Sequence, residues 1–220
     1  MTQHGRDTSK APISRRTQIV LGSFFAAMTA VIVLLDLGTP TTATGFPLTS
    51  LGNLQDRPAE DPVFMLENSL DRDRWRGIVI HHLGEPFGTA ESVHRRHLGW
   101  GYQGLGYHFL IGNGNGLADG EVHVGYRWNQ QLPGAHVVGE SGQYHNERSI
   151  GICLVGNGQR RGFTDRQIRH LTRLVQRLQQ ELRIPADQVQ LHSSVATGQS
   201  SPGRFFPVAD FREQLLNIQD

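Results

Sequence analysis

The chain has 220 residues, 37% of them hydrophobic, with 26 glycines and 10 prolines; this allows one sizeable core plus appendages rather than two full domains. Twenty-one basic residues stand against 20 acidic ones, a formal net charge of +1, so the balance gives no reason to invoke nucleic acid or an anionic membrane surface as partner. The single cysteine, Cys153, rules out a disulfide within the chain and any multi-cysteine zinc knuckle, so a metal would be held mainly by histidine, of which there are 11.

The amino-terminal stretch reads as a targeting segment. Residues 1–18 are basic, with Lys10, Arg15 and Arg16 directly before an apolar run from Ile19 to Leu35 that carries no charge. Seventeen helical residues span roughly 26 Å, near the lower limit for a bilayer's hydrocarbon core. Basic residues on the amino side predict an inside amino terminus and an exported remainder. Residues 19–37 are therefore expected to be a transmembrane anchor or a signal sequence. The run is longer than usual for a signal peptide, and only Thr41-Thr42-Ala43 offers a small-residue cleavage site, which favours a retained anchor. Either way the domain lies outside the cytoplasm, on the periplasmic or cell-envelope side, and is secreted if the segment is cleaved. Residues 38–72 mix Thr, Pro, Gly and Asp without sustained periodicity and suit a linker.

The domain is expected over residues 73–216. "GIVIHH", 77–82, is a β-branched run bounded by glycines and reads as a buried strand ending in two histidines. "TAESVHRRHLG" predicts a short helix with Thr89 as N-cap and Gly99 as stop; His94 and His97, beside Arg95 and Arg96, read as its solvated face. "YHFLIGN" and "GEVHVGYRW" read as two strands joined by the turn "GNGLAD", and "SIGICLVGN" as another buried strand. Thr164 and Gln167 form a capping box, after which Ile168, Leu171, Leu174, Val175, Leu178 and Leu182 make one apolar stripe to about Arg183. "VQLHSSV" adds a short strand and "VADFREQLLNI" a closing helix. The class is α/β, a single domain with a central mixed β-sheet flanked by helices. His81 and His192 each end a strand, so one shared sheet could set the two imidazoles side by side.

In order and spacing, "IVIHH", "GLGYHFLIGNG", "PGAHV", "HNERSIGICLVGN", "FTDRQIRHLTRLV" and "LHSSV" followed by "SPGRFFP" resemble the zinc amidases of peptidoglycan. That family contains the phage lysozyme-type N-acetylmuramoyl-L-alanine amidases and the peptidoglycan recognition proteins. The resemblance implies a groove for glycan and stem peptide with zinc at its floor, and peptidoglycan or muropeptides as partners. His81 and His192 match two zinc ligands and Tyr107 the tyrosine that assists proton transfer; His136 and Asn146 match groove positions, with Trp100 and His82 as further substrate contacts. His136 could alternatively swing in as a third ligand. The implied reaction is hydrolysis of the bond between N-acetylmuramic acid and L-alanine by a zinc-activated water.

Two departures bear on that chemistry. The family's third ligand, a cysteine or aspartate immediately before Pro-Gly, falls on Ser201, whose neutral hydroxyl offers no thiolate or carboxylate charge. Two residues earlier, where active relatives carry lysine or threonine, stands Gln199, with Thr197 a rival if the loop is one residue longer. Serine at the ligand position marks recognition proteins that bind without cutting, so a non-catalytic peptidoglycan recognition module is the alternative function.

Overall fold

The computed structural model of the chain describes residues 15 and 62–218. The chain divides into two units, Met1–Arg57 and Pro58–Asp220, and the second holds all the elements discussed below. The apolar run 19–35 lies outside the described residues; among those described, no helix is long and apolar enough to cross a membrane.

Five strands form one sheet in the order β3-β2-β4-β1-β5: β1 (Gly77–His82), β2 (Phe109–Ile111), β3 (Val122–Val124), β4 (Ser149–Leu154) and β5 (Val189–Leu191). β1 runs parallel to both β4 and β5, β2 runs parallel to β4, and only the β2/β3 pair is antiparallel. The expected mixed sheet is thus present, with the antiparallel pair at one edge. The helices are α1 (Ala90–Gly99), α2 (Tyr126–Asn129), α3 (Gly142–Arg148), α4 (Asp165–Leu182), α5 (His192–Val195) and α6 (Val208–Glu213).

Side chains alternate across a strand, and the core follows that alternation. Ile78 and Ile80 of β1, Phe109 and Ile111 of β2, and Ile150, Ile152 and Leu154 of β4 pack with Leu171, Leu174, Val175, Leu178 and Leu182 of α4. The capping box starts α4 as expected: Thr164 Oγ1 accepts from the Gln167 backbone and the Gln167 side chain accepts from Thr164 N–H. The same device starts α1, where Thr89 and Ser92 cap each other. The opposite face of the sheet carries Val79, His81, Leu110, Gly151 and Cys153 and packs into smaller clusters with Val93, Leu105 and Val137. One face is a hydrophobic core and the other is left for a site.

Residues 62–70, which the sequence assigns to the linker, pack on the core side. Val63, Phe64, Leu66 and Leu70 lie against the α4 cluster, Phe64 meets Trp128 edge-on, and the Trp128 indole N–H donates to the Val63 carbonyl. These apolar side chains stand between Pro, Asn and Ser in a stretch whose composition reads as linker, so only the fold shows where they go. Two other elements differ from expectation. The strand before His192 stops at Leu191, so His192 opens α5, and the closing helix α6 is shorter than its apolar pattern.

His108 is fully buried: its Nδ1 accepts from Gly151 N–H, its Nε2 donates to the Leu132 carbonyl, and its ring meets Trp75 edge-on. Burial holds its pKa down at about 3, so it is neutral in the fold. The unfolded chain takes up a proton that the folded chain refuses, so this part of the stability is complete above about pH 6.5 and is lost as pH falls towards about 3. Urea unfolding from pH 7.5 to 4 should show stability falling in that window. A His108→Gln variant should be less stable at pH 7.5 yet fall less steeply, by up to ~1.4 kcal/mol per pH unit; parallel curves would count against this assignment.

Candidate functional site

His81 is the fifth residue of β1, so the alternation that sends Ile80 into the α4 core sends His81 to the opposite face. β5 pairs with the other edge of β1, and the chain leaving β5 turns at once into α5, which delivers His192 beside it. The two ring centroids are 4.3 Å apart; His81 is 1% and His192 8% exposed. The expected juxtaposition of the two strand-end histidines is therefore present.

A third imidazole joins them from the loop before α3. His136 Nδ1 lies 3.0 Å from His81 Nε2, and His136 Nε2 lies 3.2 Å from the Ser149 carbonyl. The Asn146 amide holds this loop: its Oδ1 accepts from the backbone N–H groups of His136 and Val137, and its Nδ2 donates to the Val137 carbonyl. Asn146 therefore acts on the backbone of this loop. The His136 ring can approach the sheet this closely because residue 151 of β4 is glycine: a Cβ there would come within 2.5 Å of the ring.

Tyr107 precedes β2, with its ring centroid 5.2 Å from that of His81 and its side chain against Cys153. Burial, and then the Cys153 thiol, push its phenol well above the usual tyrosine range, so it keeps its proton at neutral pH and can donate. Burial pushes the Cys153 thiol up as well, which removes it as a thiolate base or metal ligand. Burial, and then the neighbouring imidazoles His136 and His192, hold His81 well below the usual histidine range; burial and His108 do the same for His136. His192 is held down at about 4, first by burial and then by His82 and His145. The floor of the site is a set of neutral imidazoles beside a protonated phenol.

Ser201 does not complete a charged ligand set. Its Oγ, 7% exposed as a residue, accepts from the backbone N–H of His82 at 2.8 Å, while its carbonyl accepts from Ser193 N–H, so it ties the loop after α5 to the end of β1. Among the described residues, no group of three or more His, Cys, Asp or Glu side chains could hold a metal ion. His192 Nε2, however, is a buried nitrogen with no hydrogen-bond partner, which is rare for a polar atom and suits a lone pair kept for a ligand. The residues fit a metal held by His81 and His192 alone.

One wall is aromatic. Trp100, 62% exposed, stacks its inner face on His97 at 5.2 Å and lies 5.7 Å from the Arg96 guanidinium, which is paired with Glu85 at 2.6 Å. The indole therefore keeps one face buried on His97 and the other open to solvent. His97 is a residue that the sequence reading missed: instead of facing solvent it is buried, and its Nδ1 accepts from Gly106 N–H beside Tyr107. Its signal was the i, i+4 spacing from buried Val93 on α1. His82 does not join the groove. It points to the same side as Ile80, where its Nδ1 lies 2.7 Å from the Pro202 carbonyl and 3.1 Å from Gly158 N.

Residues 71–204 match the family described as N-acetylmuramoyl-L-alanine amidase. Peptidoglycan-recognition protein SC2 of Drosophila melanogaster is 37% identical over 101 residues, covering 41% of this chain. The match takes in 47% of that protein, so the chain spans about half the length of this curated relative. Among solved structures, the endolysin N-acetylmuramoyl-L-alanine amidase LysCS of Clostridium intestinale superposes with a TM-score of 0.56 at 27% identity, covering 64% of this chain and 83% of the other. Bumblebee PGRP-SA does so with a TM-score of 0.50 at 27% identity, covering 62% and 80%.

Gly151→Ala is expected to displace the His136 ring and to cost about 1–3 kcal/mol through overpacking. Urea denaturation together with a crystal structure of the variant checks both; unchanged stability with an unmoved ring would refute the close approach.

Proposed function

Because the chain belongs to the N-acetylmuramoyl-L-alanine amidase family, we propose that it binds the muramyl-peptide part of peptidoglycan in this groove and hydrolyses the amide between N-acetylmuramic acid and L-alanine, with zinc held weakly by His81 and His192. The observation that carries the reading is the unpartnered, buried Nε2 of His192 beside His81. Bound zinc would supply a water of pKa about 7 and a positive charge for the carbonyl oxygen. Tyr107, still protonated at neutral pH, donates to the carbonyl oxygen or to the leaving nitrogen. Trp100 offers its exposed face to the ligand, and Asn146 holds the loop that carries His136. The basic segment and apolar run at residues 10–35 support an exported, membrane-tethered domain.

A second reading rests on Ser201. A hydroxyl already accepting from His82 N–H adds no charge to the metal site, and with two neutral ligands the domain would act as a recognition module without catalysis.

Zinc titration of the full-length protein and of Ser201→Cys, with peptide release from muropeptides assayed in parallel, separates the two. The amidase reading expects measurable zinc binding and zinc-dependent release by the native protein, and a gain in affinity of roughly 100-fold, about 2.8 kcal/mol, in Ser201→Cys. Muropeptide binding that ignores chelator, with no release at saturating zinc, would leave the recognition module standing. On either reading Trp100→Ala should weaken muropeptide binding about tenfold or more, as calorimetric titration would show; unchanged affinity would remove Trp100 from the groove.

A further inference from the structure

His136 Nδ1 lies against His81 Nε2, and the direction of the protons along that contact can be worked out. The Ser149 carbonyl oxygen only accepts, so at 3.2 Å from it His136 Nε2 must carry a hydrogen. A neutral imidazole has one N–H, so His136 Nδ1 is then a bare acceptor. It faces His81 Nε2 at 3.0 Å, so that nitrogen must be the donor. His81 is also neutral, which leaves its Nδ1 as the bare lone pair. The reverse order would set the bare His136 Nε2 against the Ser149 oxygen, two acceptors with no proton between them.

We infer that His136 is a positioning residue that fixes the His81 tautomer: the relay Ser149 carbonyl, His136, His81 keeps the proton on His81 Nε2 and presents Nδ1 as the metal-binding nitrogen. Three features of the fold hold the relay. Gly151 leaves room for the His136 ring, the Asn146 amide clamps the backbone of residues 136 and 137, and β4 supplies the Ser149 carbonyl from the strand paired with β1. The assignment gives His136 a role that is neither third ligand nor substrate contact. Partners of this kind orient a ligating imidazole and raise its basicity. The proposal rests on the two-histidine metal reading for its effect on affinity, but the placement of the protons does not.

The two parts separate experimentally. In metal-free, 15N-labelled full-length protein at pH 7.5, the imidazole spectrum should place the hydrogen on His81 Nε2 and show a scalar coupling across the hydrogen bond to His136 Nδ1. A bare His81 Nε2, or the shared proton on His136 Nδ1, overturns the relay whatever metal does. For the second part, cobalt(II) is titrated in place of zinc and followed through its visible spectrum. His136→Ala should weaken cobalt binding by roughly 10- to 100-fold, and His136→Asn, whose amide oxygen can accept from His81, should recover part of the loss. Equal affinity in the wild type and His136→Ala overturns the positioning role. If the wild type binds no cobalt, the metal reading fails, and with it the effect on affinity, while the proton placement stands or falls on the spectrum.

Discussion

The pairing of β1 with a parallel strand on each edge is the constraint on which the site depends. With β4 on one side and β5 on the other, neither register can slip alone, and the two-residue period decides what each side chain of "GIVIHH" faces. A shift by one residue would drive His81 into the α4 core and bring Ile80 into the groove. The hydrophobic match of Ile78 and Ile80 to the leucine stripe of α4 is therefore what aims the imidazole. The same pairing brings the Ser149 carbonyl and residue 151 of β4 into range of His136, and the exit of β5 into range of His81. Stability and site geometry come from opposite faces of the same strands.

The two faces are built differently for a physical reason. The α4 side is filled by aliphatic side chains and makes one large cluster. The groove side is made of loops and short helices pinned by hydrogen bonds: the Arg127 guanidinium donates to the Leu105 and Pro133 carbonyls, Asn146 holds residues 136 and 137, and His97 caps Gly106. Irregular backbone lacks a ladder to satisfy its polar groups, so side chains take over that work. The result is a fixed, polar surface with an exposed indole beside it.

Much of this was legible from the residues. The N-cap at Thr89, the capping box at Thr164, the leucine stripe, the β-branched runs and the two strand-end histidines depend on local pattern, and local pattern is what a sequence displays. What escaped depends on contacts far along the chain. His82 follows His81 in "IVIHH", yet strand alternation turns it to the other side, where it meets Pro202 and Gly158. His97 looks solvated among arginines until the loop 101–106 folds back over it. Residues 62–70 resemble a tether because Pro, Asn and Ser surround their apolar side chains, and only the surface of α4 and Trp128 gives four of these a place. Ser201 was visible as a missing charge, but its bond to His82 N–H could not be read from spacing.

The seating of residues 62–70 also governs how the domain bears load. Val63, Phe64, Leu66 and Leu70 are fastened along α4 and Trp128, Arg72 is paired with Glu181 near the end of α4, and all of these lie on the face away from His81. Tension applied to the chain ahead of residue 62 would be taken up by the hydrophobic core before reaching any loop of the groove. The contacts that seat residues 62–70 and those that aim His81 therefore lie on opposite faces of the same sheet.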